Sequence, residues 1–316
     1  MGISNQSLIQ KADLQLSELT SGGGRLVPEQ AKEFWRIAIL ASDFLKICRT
    51  VPMNGTQLDM PKTGMSGWVL AASAEREQLS EDDRSKPDLD KVALQTQTFK
   101  AEVSLSYEQL EENIEGGNFL ETVRQMLAEA MARDLAQILL LGDTTTVQTD
   151  KRTRALALLD GVLKQTTSNL YDASGARFSK SIAETLYRKL PTAYRSQEGL
   201  AYITSTIAAH DYAAAQANRQ TPLGDDMLSK MADAKHGRIP IIGLAAMPEN
   251  LGSGDKTNVI LTNPKNIVIG LSKQIEIKWT EDIRSGEFII VGRVKPAVKY
   301  MHEPASSKAT NVSAAA

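Results

Sequence analysis

Apolar residues between positions 119 and 139 fall at Phe119, Leu120, Val123, Met126, Leu127, Ala130, Met131, Leu135, Ile138 and Leu139. Those three- and four-residue steps predict a single amphipathic helix with one buried face. Asn118 with Glu121 three places on has the spacing of a capping box, and Gly142 after Leu141 reads as the glycine that stops the last turn. From Asn118 to Leu141 such a helix would be about 36 Å long. Gly116-Gly117 separates it from a shorter helical stretch that begins near Leu105. The rest of the chain is organised around this rod.

Before it, Leu8, Ala12, Leu16 and Leu19 mark a helical arm that ends in Gly22-Gly23-Gly24, and Pro28 opens a second helix with Phe34, Trp35, Ile37 and Leu40 on its apolar side. A strand follows from Ile47 to Met53. Thr56 to Lys62 and Val92 to Thr98 read as the two arms of a long hairpin, and a parity shift at Phe99, Ala101 and Val103 predicts a bulge in the returning arm. Beyond the rod, a polar Thr-rich crossover (Asp143 to Arg154) leads into alternating signals. These are a helix at Ile182 to Leu190, a buried strand at Leu200 to Thr204, an alanine-rich helix to Ala217 and short β runs at 239–244, 258–262, 267–269 and 274–279. Glu287 to His302 alternates as one long strand, with an edge or bulge at Pro296. The Ala, Ser and Thr-rich tail from Pro304 is expected to fray.

Composition narrows the function more by exclusion than by motif. The net charge is -2 over 316 residues, which argues against a protein that grips nucleic acid by neutralising phosphates. No apolar run reaches the roughly 20 residues of a membrane span, and the first residues lack the charged and apolar regions of a secretory signal. Cys48, the single cysteine, sits among Phe44, Leu45, Ile47 and Val51 and reads as a buried inert thiol. His210, His236 and His302 have no metal-ligand neighbours at useful spacing, and the acidic pairs Asp82-Asp83, Glu111-Glu112 and Asp225-Asp226 fall at helix ends or solvated loops. The residues select no catalytic group, no cofactor and no metal. The unusual stretch is Glu75 to Lys91, with seven acidic and four basic residues between the two hairpin arms. It is either a solvated face or a tip built to lie against another subunit.

Three segments carry a resemblance. Ser66-Gly67-Trp68-Val69 with Glu75 and Ser80, Val103 to Leu110, and Met131-Ala132-Arg133-Asp134 through Gly142-Asp143 look like the extended-loop tip, spine-helix entry and spine-helix exit of tailed-phage major capsid proteins, the Hong Kong 97 fold. The likeness spans about residues 27 to 303 and rests on order and spacing. It implies an α+β fold in five regions: an N-terminal arm and helix (1–53), an extended β-hairpin loop (54–104), a peripheral domain with the spine helix (105–154), an axial domain (155–280), and a return strand with a tail (281–316). It further implies a structural, non-enzymatic subunit that forms hexamers and pentamers in an icosahedral virion capsid around double-stranded DNA, without sequence-specific binding. Assembly would occur in the host cytoplasm, with a separate scaffolding protein and a portal as partners and no membrane. Trp68, Glu75, Arg76, Glu77, Arg84 and Lys86 are the implied subunit contacts. An encapsulin-type shell shares the fold. An α+β enzyme with a dimerisation arm is the competing class, and would need a pocket with convergent titratable groups.

Overall fold

The computed structural model describes residues 42–64, 69–71, 78, 80–82, 84–107, 119–217, 234–252, 254–272 and 276–314. The expected helices before residue 42, the capping box at Asn118 and the turn at Thr221-Pro222-Leu223-Gly224 lie outside them. In chain order the elements are α1 (Asp43–Ile47), β1 (Arg49–Met53), β2 (Gln57–Gly64), β3 (Asp88–Gln95), β4 (Phe99–Ser106), α2 (Phe119–Leu141), α3 (Lys151–Leu156), α4 (Val162–Gln165) and β5 (Leu170–Asp172). They continue with α5 (Lys180–Lys189), α6 (Thr192–Arg195), β6 (Ala201–Ser205), α7 (Thr206–Ala217), β7 (Lys235–His236), β8 (Ile239–Leu244) and β9 (Lys256–Thr262). After a 3₁₀ turn come β10 (Ile267–Ser272), β11 (Glu276–Asp282), β12 (Glu287–Val294), β13 (Pro296–Tyr300) and, after a second turn, β14 (Ser307–Ser313).

The rod is α2, 23 residues and therefore about 34 Å long. Its buried stripe is narrower in residue size than the periodicity suggests: Leu127, Ala128, Ala132, Leu135, Ala136, Leu139 and Leu140 face inward, while Met126 is 63% exposed. Alanines on the stripe let the backbone lie close to its neighbours. Leu127, Ala128 and Ala132 pack on Ile290, Ala101, Val103 and Leu105, the inner face of the sheet β11-β12-β4. One helical half further on, Leu135, Ala136, Leu139 and Leu140 enter a different core with Phe44, Leu45, Ile203, Ile260, Ile267, Ile269 and Tyr300. That second core lies between the sheet β1-β10-β13 and the six-stranded sheet β5-β14-β9-β6-β8-β7.

Where α2 ends, glycine serves packing and not a left-handed turn. Gly142 does not have a positive φ. Its carbonyl accepts a hydrogen bond from Gly161 N–H at 2.7 Å, so two backbones cross in contact. A Cβ on Gly142 would sit 2.8 Å from the Ile138 carbonyl and would also strike the Leu159 carbonyl; one on Gly161 would sit 2.6 Å from Gly142 N and 2.7 Å from the Leu140 carbonyl. Lys164 ties the crossing from outside, its Nζ 2.6 Å from Asp143 Oδ1, 2.9 Å from Asp160 Oδ1 and 2.9 Å from Thr144 Oγ1. Hydrogen bonds from Lys164 and from the Thr145 hydroxyl and N–H hold Asp143 down at about 2. At Asp160 burial works in the opposite direction, but hydrogen bonds from Thr144 and Lys164 outweigh it and the carboxyl is again lowered.

Two strand expectations change. The parity shift after Thr98 is not a bulge but a transfer between sheets. Thr96 N–H still donates to Thr56 on the hairpin side, Gln97 N–H donates to Pro296, and β4 then pairs antiparallel with β12, Phe99 opposite Val294. The stretch 287–302 likewise divides: β12 is the middle strand of one sheet and β13, starting at Pro296, an edge strand of another. Through Ala314 the tail is held and does not fray. β14 runs between β5 and β9 inside the six-stranded sheet, with Ser307, Ala309 and Val312 buried, and Glu303 just ahead of it accepts hydrogen bonds from Thr167 N–H (2.8 Å), Ser168 N–H (2.7 Å) and Ser168 Oγ (2.7 Å).

Two outcomes follow from the crossing. Gly142→Ala forces backbone against backbone with no flexible side chain to yield, and should destabilise the unassembled subunit by about 2–3 kcal/mol in urea unfolding. The depressed pKa values of Asp143 and Asp160 mean that their contribution is fully present above about pH 4 and lost as pH falls through their lowered folded values, about 2 for Asp143. Both carboxylates are about two-fifths exposed, so the loss should be about 1 kcal/mol or less. It should be smaller still in Lys164→Met, measured by urea unfolding at pH 6 and pH 3.

Candidate assembly interface

The hairpin has a fixed root and a bare outer half. β2 and β3 pair antiparallel over eight residues, Gln57 opposite Gln95 and Gly64 opposite Asp88. At the root Leu94 is 0% exposed, in contact with Met53, Val268 and Ala297, while Leu58 and Met60 are half-buried beside them. Outward from Val92 that support ends: Asp88, Leu89, Asp90 and Lys91 are all exposed, Leu89 to 75%. A ribbon of two strands has little stability alone, so the buried Leu94 end holds the projecting end in place.

Polar pairs along the ribbon add direction but little energy. Lys91 Nζ lies 2.9 Å from Asp59 Oδ2, and Gln57 Nε2 donates to Asp59 Oδ1 at 2.9 Å. The Gln57 and Lys91 hydrogen bonds lower the Asp59 carboxyl, and the Asp59 bond raises Lys91. Both groups are in solvent, so the pair contributes little. Of the residues singled out from sequence, Arg84 and Lys86 are exposed beyond β3, with Arg84 N–H donating to Glu81 in a turn. Trp68, Glu75, Arg76 and Glu77 lie outside the described residues.

A second exposed surface was hidden in the stretch that reads as a polar crossover. Asp150 caps α3, its side chain accepting from Thr153 N–H at 2.8 Å and Thr153 Oγ1 at 2.7 Å. Lys151, Arg152 and Arg154 are exposed on the turn it starts. Val147 on one side is 78% exposed and Leu158 on the other 45%. The signal available in the sequence was the run Lys151-Arg152-Thr153-Arg154 itself. A third exposed apolar residue, Ile283, sits at the β11–β12 turn, near Tyr107, whose ring meets Phe288 edge-on at 5.2 Å and whose hydroxyl, bonded to Glu281, is pushed up to about 12.

An open cleft of about 440 Å³ lies among Gln137, Leu141, Arg152, Thr206, Met247 and Glu249. Its two ionisable lining groups are Arg152 and Glu249, and Glu249 already caps α7 by accepting from Thr206 Oγ1 (3.1 Å) and Ile207 N–H (3.2 Å). The histidines stand apart from it: His210 is exposed, His236 Nδ1 bonds Tyr212 Oη at 2.8 Å with burial lowering its pKa, and His302 is likewise lowered by burial. Cys48 is buried, and burial pushes its thiol up. Among the described residues no three His, Cys, Asp or Glu side chains gather as a metal site.

No family profile matches the sequence. The chain is 34% identical over 314 residues to the putative prophage capsid protein YqbE of Bacillus subtilis (strain 168), covering 98% of this chain and 99% of that one. Its fold is similar to a chain of the satellite phage P4 procapsid, with a TM-score of 0.66, 13% identity and 98% of each chain covered. It is also similar to the SrpI encapsulin of Synechococcus elongatus PCC 7942, with a TM-score of 0.57, 10% identity, and 86% of this chain and 88% of that chain covered. A rod helix shared by two cores, a rooted projecting hairpin and one-third identity along nearly the full length of a capsid protein agree: this chain belongs to the prophage capsid-protein family, with the α+β Hong Kong 97 fold.

Proposed function

We propose that the protein is the major shell subunit of a phage head, assembling into hexamers and pentamers that close as an icosahedral container for double-stranded DNA. The observation that carries this reading is the hairpin. Its root is buried on its own body at Leu94 while Leu89 and the carboxylates around it stand in solvent, an arrangement that makes energetic sense when a neighbouring copy covers the outer half. A closed shell puts one sequence into several environments, and a ribbon fixed at one end adapts to them without disturbing the core.

On this reading residues 1–53 are an arm, 54–104 the extended loop, 105–154 with the return strand of 281–316 a peripheral domain, and 155–280 an axial domain that faces the centre of each capsomer. Trp68, Glu75, Arg76, Glu77, Arg84 and Lys86 contribute contacts between subunits. Near-neutral charge suits a wall that does not hold its contents tightly. A separate scaffolding protein and a portal act with it, assembly takes place in the host cytoplasm, and no catalytic step is assigned. The likeness to SrpI supports a second reading, a protein-filled compartment.

Electron microscopy and light scattering of the purified protein should give capsomers or closed shells, with nucleic acid inside for a phage head and co-purifying enzyme for a compartment. Deleting Glu75 to Lys91 should abolish shells and leave a folded subunit by circular dichroism. Unchanged assembly of that variant would reduce the outer hairpin to a solvated loop.

A further inference from the structure

The hairpin needs a receiving surface, and the run of exposed cations on α3 offers one of fitting charge. On the described outer half, Glu81, Asp82, Asp88 and Asp90 are exposed beside Leu89, and among the described residues none of these carboxylates is in an ion pair. Some cations are matched at home, Lys46 to Asp43, Lys100 to Glu102, Arg133 to Asp134, Lys164 to Asp143 and Asp160, Lys180 to Glu184, while others, Arg49, Arg188, Lys235, Arg238, Lys265, Arg284 and Lys299 among them, are exposed with no carboxylate in ion-pair distance among the described residues. The α3 turn gathers three of the second kind. Lys151, Arg152 and Arg154 project from four consecutive positions, and among the described residues none has a carboxylate within ion-pair distance. The one acid among them, Asp150, is held by its cap: the Thr153 N–H and hydroxyl bonds, with Arg152 nearby, keep its carboxyl lowered. Arg154 Nε reaches only the Asp150 carbonyl, at 3.3 Å.

The two surfaces are opposite in net charge. Three cations lie along the chain between exposed Val147 and Leu158 on one; on the other, exposed Leu89 lies among four carboxylates, with two cations, Arg84 and Lys86, beside them. Each is exposed in the single subunit, so they do not meet within one chain. We propose that the outer hairpin of one copy docks on the α3 turn of a neighbouring copy, its carboxylates on Lys151, Arg152 and Arg154 and Leu89 between Val147 and Leu158. This rests on the shell reading and adds to it the surface that the hairpin meets. The flanking apolar residues favour a protein partner over packaged nucleic acid. A face that grips phosphate gains nothing from an exposed Val and Leu and needs more cations than three. The basic turn also rims the cleft through Arg152, leaving room beside it for the ribbon's side chains.

Charge reversal in both directions tests the pairing. In the full-length protein, Lys151→Glu/Arg152→Glu/Arg154→Glu and, separately, Glu81→Lys/Asp82→Lys/Asp88→Lys should each raise the protein concentration needed for shells by on the order of tenfold or more, from several lost and now repulsive surface pairs. Both leave a wild-type circular dichroism spectrum, since neither touches a core residue. Combining the two reversals in one chain should restore assembly toward the wild-type threshold, and 0.5 M salt should weaken wild-type assembly more than that of a Lys151→Gln/Arg152→Gln/Arg154→Gln variant. A patch reversal that assembles normally overturns the proposal. So does a combined variant no better than its parents, and so does a patch reversal whose shells form normally but lack nucleic acid, which would reassign the turn to the packaged polymer. A wild-type protein that never forms shells fails at the earlier step, and takes the docking surface with it.

Discussion

One helix is shared by two hydrophobic cores, and the rest of the subunit follows from that. The first described turns of α2 pack Leu127, Ala128 and Ala132 against the β11-β12-β4 sheet; its last turns place Leu135, Leu139 and Leu140 among residues from two other sheets. Neither core is closed without it. The small side chains of Ala128, Ala132 and Ala136 keep the helix close to its neighbours, and the Met131 thioether lies against the bare backbone of Gly292 in β12, where a side chain would displace it. A rigid connection of this kind transmits orientation: whatever holds one core fixes the direction of the other.

The hairpin obeys the complementary rule. Its β2 and β3 strands leave the body beside β13, buried only where Leu94 meets Met53, Val268 and Ala297, and stop being supported within a few residues. Hydrophobic burial at the root fixes an angle of departure, and the exposed acids and Leu89 at the other end bring nothing to the stability of a lone chain. Rooted ribbon and shared rod divide the work between a part that defines shape and a part left unsatisfied.

Much of this was legible in the sequence because periodicity reports burial directly. The three- and four-residue steps of α2, the buried run that became β6, and the two hairpin arms all announced themselves. Three features did not. Gly142 carries the same letter whether it relieves a left-handed turn or a backbone crossing, and only the distance to Gly161 distinguishes them. The segment Ser307–Ser313 resembled a loose tail because its inward positions are Ser307, Ala309 and Val312, small residues that suit the middle of a sheet yet have little hydrophobic signature. The basic α3 turn was legible as letters within a polar crossover; that its adjacent acid, Asp150, is taken up by a cap and not by an ion pair is a property of space and not of spacing.

The position of β14 has a consequence for how the molecule can be divided. The chain builds β5, β6, β8 and β9 between residues 170 and 262, leaves to form β10 through β13 in two other sheets, and only then returns to insert β14 between β5 and β9. A contiguous block cut out at residues 155–280 would therefore carry a slot where an interior strand belongs, with the β9 and β5 edges bare and prone to recruit foreign strands. Any chimera that exchanges this lobe between relatives must transplant residues 307–313 with it, although they lie far along the chain from the rest of the lobe.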